Sequence, residues 1–191
     1  MKLINNMPNF LTILRIFLTP VICFLLFSNL KFKFLTAFII FCIASLTDYL
    51  DGNLARRTNP TNFGKFFDPI ADKILMFSSL IGLLVQNMIN PWVIILLLSL
   101  DFIVMFLRIL MAQRGRVLAA NKYGKLKTLS QMLAVMIAML LKALSEIWGN
   151  FNINLTFLYN VLFYISFIMS IFSLYSHILN NKKELTEIFK E

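Results

Sequence analysis

The sequence is short of charge. Asp, Glu, Lys and Arg together make up 14% of its 191 residues, where a soluble domain carries about a quarter. That shortage excludes an ordinary water-facing domain. Acid is scarcer than base, with 9 Asp and Glu against 18 Lys and Arg. Cysteine is nearly absent; Cys23 and Cys42 both sit inside apolar runs, which excludes a disulfide framework and a thiolate metal site. The only histidine, His177, has no nucleophile paired with it. It reads as a headgroup contact at the end of the last apolar run rather than as a catalyst. No repeat or low-complexity tract interrupts the chain. The first fifteen residues are too polar for the short leading region of a signal peptide, and no small-residue cleavage site follows, so none is expected.

What the chain has in excess is apolar length. Hydrophobic residues make up 59% of it and the mean hydropathy is +0.79. Runs near 20 residues recur from end to end, and each is long enough to cross a bilayer. Six can be marked: 12–28, 34–56, 66–86, 91–112, 125–147 and 155–179. Residues 5–11 form a candidate short interfacial helix ahead of the first. The expected fold is an all-α integral membrane protein, six transmembrane helices with that N-terminal interfacial helix, in a single domain over 1–191. The net charge of +9 lies at the ends of apolar segments and makes no basic stripe, so nucleic acid is not expected as a partner. Lys2, Arg56, Arg57, Lys65, Arg114, Arg116, Lys122, Lys125, Lys182, Lys183 and Lys190 gather on one side; little beyond Lys31, Lys33 and Lys142 falls on the other. By the positive-inside rule both termini and the two basic loops face the cytoplasm, as an even number of spans requires. Pro91 and Trp92 mark a helix start at an interface, and Trp148 suits an aromatic belt on the outer side.

Ionisable groups inside membrane segments are expensive and mark function. Here they concentrate in Asp48-Tyr49-Leu50-Asp51-Gly52-Asn53-Leu54-Ala55-Arg56 and Gly64-Lys65-Phe66-Phe67-Asp68-Pro69-Ile70-Ala71-Asp72. On a helix, Asp48, Asp51, Gly52 and Ala55 follow i, i+3, i+4, i+7 and share one face. Gly64, Asp68 and Asp72 recur every four residues and share another. Pro69 is expected in the first turns of the third helix, where backbone donors lack partners. Brought together across 57–63, the four carboxylates need a cation to remain ionised side by side. Oxygen-only ligands select a hard ion, Mg²⁺ or Mn²⁺, and four aspartates suffice for two. Gly52 and Ala55 let a nucleotide approach the backbone, and Arg56 can neutralise a phosphate at the rim.

This stretch resembles the signature of the CDP-alcohol phosphatidyltransferases: Asp, two residues, Asp-Gly, two residues, Ala-Arg, a spacer, Gly, three residues, Asp, three residues, Asp. Asp48, Asp51, Gly52, Ala55, Arg56, Gly64, Asp68 and Asp72 fill every fixed position, with a spacer one residue shorter than is usual. The resemblance implies transfer of the phosphatidyl group of CDP-diacylglycerol to an alcohol, with CMP leaving. It implies metal on Asp48, Asp51, Asp68 and Asp72, and Asp72 as the base for the acceptor hydroxyl. It further implies CDP contacts from Thr12, Asp51, Gly52, Ala55, Arg56 and Gly64.

Pro8-Asn9-Phe10-Leu11-Thr12-Ile13-Leu14-Arg15 and Gly124-Lys125-Leu126-Lys127-Thr128 are similar to stretches of the bacterial glycerol-phosphate branch, the phosphatidylglycerophosphate synthases. That branch implies glycerol 3-phosphate as acceptor, held by Arg108, Lys125 and Lys127 with help from the N-terminus of the fifth helix. Leu100-Asp101 stands where the branch usually has Arg-Glu, and Asp101 is placed to pair with Arg108 seven residues on. Arg15 closes the first of these stretches, with a simple anchor of the first helix as the equal alternative. Relatives imply a homodimer among membrane lipids. The same chemistry with phosphatidylglycerol (as in a cardiolipin synthase) or inositol phosphate as acceptor stays open, as does a metal-ion carrier.

Overall fold

The computed structural model describes residues 7–55, 62–113, 122–149 and 154–182, with side chains described for 10–47, 67, 70–111, 122–149 and 154–182. All six apolar runs are helical: α1 (Met7–Phe27), α2 (Lys33–Ala55), α3 (Asn62–Val85), α4 (Pro91–Gln113), α5 (Lys122–Trp148) and α6 (Leu155–Asn180). No strand occurs among the described residues. The ends have local causes. Asn90 caps α4: its Oδ1 accepts from the Trp92 amide at 3.0 Å, while Pro91 takes the first helical position, where no amide donor is needed. At the end of α3, Asn87 adopts φ 56°. Its amide donates to Leu84 O at 2.8 Å and the Met88 amide to Leu83 O at 3.1 Å, the paired bonds of a Schellman close. Gly149, at φ +86°, ends α5 in the same left-handed region.

Two expectations need correction. Residues 7–11 are not a separate interfacial helix but the first turns of α1. Pro8 is the second residue of α1, where its missing donor has no intrahelical acceptor to serve, so nothing breaks the chain there. Nor does Pro69 stand among the first four residues of α3, where amides lack partners; α3 begins at Asn62 and Pro69 is its eighth residue. It stands inside the helix, and the carbonyl of Lys65 loses its usual donor. Pro20 stands likewise inside α1. Interior prolines of this kind persist in membrane helices, where neighbouring groups take up the freed carbonyls.

α1, α4, α5 and α6 are each long and apolar enough to cross a membrane, and α2 adds a shorter apolar stretch over Lys33–Thr47. Large apolar side chains stand exposed along them, among them Phe17, Phe24, Phe106 and Phe172. These features make the chain a multi-pass membrane protein. The ends of α2 and α3 that carry the signature are also where their apolar character gives out.

The helices form two compact units, one of α1–α3 with α5 from Val135, the other of α4, α5 to Ala134, and α6. In the first, α1 packs against both α2 and α3. Its inward stripe is Thr12, Arg15, Thr19, Ile22 and Leu26, all buried, at spacings of three and four. The same unit buries Ala37, Phe41 and Ala44 of α2 and Ala71, Leu75, Leu80 and Leu83 of α3. Gly82 permits a close approach, since a Cβ there would collide with the Leu26 side chain. Gln86 then fastens the helix ends: it bonds the Leu26 carbonyl and accepts from Lys33 Nζ at 3.1 Å, while Lys33 also donates to Ser28 O at 2.9 Å.

Gly82→Val is therefore expected to force α1 and α3 apart and to destabilise the chain by about 1–3 kcal/mol, the usual cost of overpacking. Unfolding in mixed micelles measures this, and an unchanged midpoint contradicts the contact.

Candidate active site

The signature falls on the last two turns of α2 and the first three of α3. Both segments are helical throughout, so positions 48, 51, 52 and 55 do share one register face of α2, and 64, 68 and 72 one of α3. The side chains of Asp48, Asp51, Gly52, Ala55, Gly64 and Asp68 lie outside the described ones, and Arg56 lies outside the described residues altogether. Among the described residues, no three His, Cys, Asp or Glu side chains gather around one point.

Asp72 is the described member of the set. It is 33% exposed and ion-paired with Arg15 of α1, whose side chain is fully buried. Arg15 is thus no interfacial anchor; its charge turns inward and meets a carboxylate 57 residues away in sequence. An arginine within an apolar helix has to find such a partner or cost several kcal/mol, and that rule is the signal by which the pair could have been foreseen. Thr12, one turn before Arg15 on the same stripe, is completely buried. Thr19, one turn after, donates its hydroxyl to Arg15 O at 3.0 Å. The polar end of the α1 stripe therefore faces the helix that carries Asp72.

The other unit holds a second polar cluster. Asp101 of α4 and Lys127 of α5 are both buried and form an ion pair. Gln131, one turn beyond Lys127, points its Nε2 at Asp101 Oδ1 at 3.4 Å and at Ser170 Oγ at 3.5 Å. Asp101 does not pair with Arg108, because α5 brings Lys127 to it inside the helix packing while Arg108 stays exposed. Lys125 is exposed as well. His177 does not face lipid either; it is 2% exposed and lies inward, next to Gly124.

The family model of the CDP-alcohol phosphatidyltransferases matches residues 5–172. The chain belongs to this family. It is similar to the CDP-diacylglycerol–glycerol-3-phosphate 3-phosphatidyltransferase of Bacillus subtilis (strain 168), at 39% identity over 143 residues, 68% of this chain and 74% of that protein. The proteins of the same name from Rickettsia prowazekii (39% over 141 residues, 73% and 78%) and Pseudomonas fluorescens (37% over 139 residues, 69% and 71%) are similar too. As a CDP-alcohol phosphatidyltransferase the chain is an enzyme of phospholipid synthesis that transfers a phosphatidyl group, which removes the metal-ion carrier from the alternatives.

The buried Lys127–Asp101 pair makes a measurable demand. Lys127→Met, which strands the Asp101 carboxylate, is expected to destabilise this phosphatidyltransferase by about 3–5 kcal/mol, and adding Asp101→Asn to recover most of that loss. Unfolding of the two single variants and the double variant in mixed micelles gives the coupling; additive losses refute it.

Proposed function

We propose that this phosphatidyltransferase moves the phosphatidyl group of CDP-diacylglycerol onto glycerol 3-phosphate, giving phosphatidylglycerophosphate and CMP. The observation that carries the reading is the complete eight-position signature, seven of whose positions fall on the helices α2 and α3, in a chain whose relatives at 37–39% identity bear the name of this activity. Those names favour glycerol 3-phosphate over phosphatidylglycerol or inositol phosphate as acceptor.

The donor set suits a hard divalent cation, since all four candidate ligands are carboxylates in register on helix faces and no softer donor accompanies them. Asp48, Asp51, Asp68 and Asp72 are the residues that would hold Mg²⁺ or Mn²⁺, as a pair of ions shared by four acids. When bound, such ions neutralise phosphate charge and polarise the phosphorus under attack. Thr12, Asp51, Gly52, Ala55, Arg56 and Gly64 are assigned to CDP. The two small residues of α2 leave the helix backbone open to the nucleotide, and Arg56 meets a phosphate. Asp72 takes the proton of the acceptor hydroxyl as its oxygen attacks the phosphorus that bears diacylglycerol. The bond from that phosphorus to CMP breaks, and CMP leaves with the electron pair. Arg15 holds the Asp72 carboxylate in place from behind. Arg108, Lys125 and Lys127 are assigned to the acceptor phosphate, Lys127 while matched by Asp101, the other two from exposed positions.

The chain is read as one catalytic domain over 1–191 with six transmembrane helices, α2 and α3 crossing despite their charged ends. It lies in the cytoplasmic membrane as a homodimer, with both termini and the active site on the cytoplasmic side.

Asp72→Asn is expected to lower kcat at least about 100-fold while CDP-diacylglycerol still binds; CMP release and donor binding test this, and undiminished turnover removes Asp72 as the base. Chelation of divalent metal is expected to stop CMP release and Mg²⁺ or Mn²⁺ to restore it. Lys125→Ala is expected to raise the acceptor KM about tenfold and the donor KM less; the reverse order rules out its phosphate role.

A further inference from the structure

The α1–α3 unit is basic at the end that does not carry the signature. Lys33 opens α2 and Asp51 stands near its close, about 27 Å further along the axis at 1.5 Å per residue. That is close to the thickness of a hydrocarbon core. A bilayer that holds the signature in one headgroup layer therefore holds Lys33 near the other. Lys31, Lys33 and Lys142 gather at this end, the last from α5. Across 26–37, 82–88 and 138–149 the sole acid is Glu146.

Two of the lysines converge. The Nζ of Lys33 lies 5.3 Å and that of Lys142 5.9 Å from the centroid of one ring, Phe34, which is 1% exposed. Both distances fall within the reach of a cation–π contact. Lys33 is held in place, because it donates to Ser28 O and to Gln86 Oε1. Those acceptors are neutral, so they orient the ammonium without cancelling its charge, and one of its three N–H donors remains. Lys142 makes no hydrogen bond or ion pair among the described residues. Glu146, one turn further along α5, is exposed and does not pair with it.

Two like charges drawn to one neutral ring repel each other, and the negative face of the ring offsets that only in part. Lysines that merely anchor a helix extend their heads outward to water; these two are half-buried and turn to the same side chain. The arrangement calls for an anion shared by both. At a headgroup layer the abundant anion is the phosphodiester of a phospholipid. A zwitterionic headgroup brings a cation of its own, which the lysines repel, whereas an anionic one does not.

We propose that Lys33 and Lys142, converging on Phe34, bind the phosphodiester of an anionic phospholipid in the leaflet opposite the signature. This site is separate from the acids of α2 and α3 and does not depend on which alcohol is the acceptor.

Trp148 reports on it. It lies on α5 six residues beyond Lys142 and is 74% exposed. Trp92→Phe leaves it the sole tryptophan of the full-length protein. In phosphatidylcholine vesicles with rising shares of brominated phosphatidylglycerol, quenching of Trp148 gives the affinity of the anionic lipid relative to phosphatidylcholine. Phosphatidylglycerol is expected to be favoured at least about fivefold, the usual worth of one basic residue at an anionic surface. Lys142→Gln is expected to bring the ratio near parity and Lys142→Arg, which keeps the charge, to preserve it. Lys142→Met serves in place of the glutamine variant if that one fails to fold. Lys31→Gln, which removes a charge that does not meet Phe34, is expected to change the ratio less than about twofold.

Parity in the parent protein overturns the proposal. So does a loss in Lys31→Gln as large as in Lys142→Gln, which means diffuse surface charge rather than a site. Displacement of the brominated lipid by inorganic phosphate at fixed ionic strength overturns it too, since the pair then takes a free anion and not a lipid headgroup.

Discussion

A charged side chain inside an apolar helix bundle persists only where another group meets its charge, and in this chain that demand ties distant helices together. Arg15 of α1 lies fully buried against Asp72 of α3; Lys127 of α5 lies against Asp101 of α4. Neither pair is local, so each is met only once the helices have packed. Apolar surface cannot supply the same discrimination, because lipid tails solvate a leucine as well as a neighbouring helix does. Buried polar pairs and close-packed small residues such as Gly82 are what give the helices a preferred register.

The same demand explains why polarity is distributed unevenly along the inward stripes. α1 runs from Thr12, Arg15 and Thr19 to Ile22 and Leu26, and α6 from Tyr159 and Phe163 to four polar residues ending at His177. Each helix is apolar at one end of its buried face and polar at the other. On α1 the polar end meets the helix that bears Asp72, a member of the phosphatidyltransferase signature. A catalytic apparatus for a charged headgroup requires such polar ends, while the fatty chains of the donor require the apolar surface that the bundle exposes elsewhere. The Arg15–Asp72 ion pair thus joins the buried stripe of α1 to a residue of the signature.

Much of this was legible beforehand. The six helices follow from apolar runs bounded by polar residues, because a bilayer leaves a chain few alternatives to the helix. Helix starts were harder to read. α3 begins at Asn62 and α1 at Met7, ahead of their apolar runs, since a helix can continue through polar residues where the hydropathy falls. The signature was legible because its spacings are helical: once residues 48–55 and 64–72 are helix, the shared faces follow without further information.

By itself the sequence determined the helical class, the membrane setting and the identity of the carboxylate-bearing faces, all of which depend on spacing along one chain. The tertiary structure alone decided which charge meets which. Asp101 takes Lys127 rather than Arg108, Arg15 turns inward to Asp72, and His177 lies buried against Gly124 rather than among lipid headgroups. The physical reason is that a periodic pattern states which residues share a face but not which neighbour that face meets, and pairing energy depends on the neighbour.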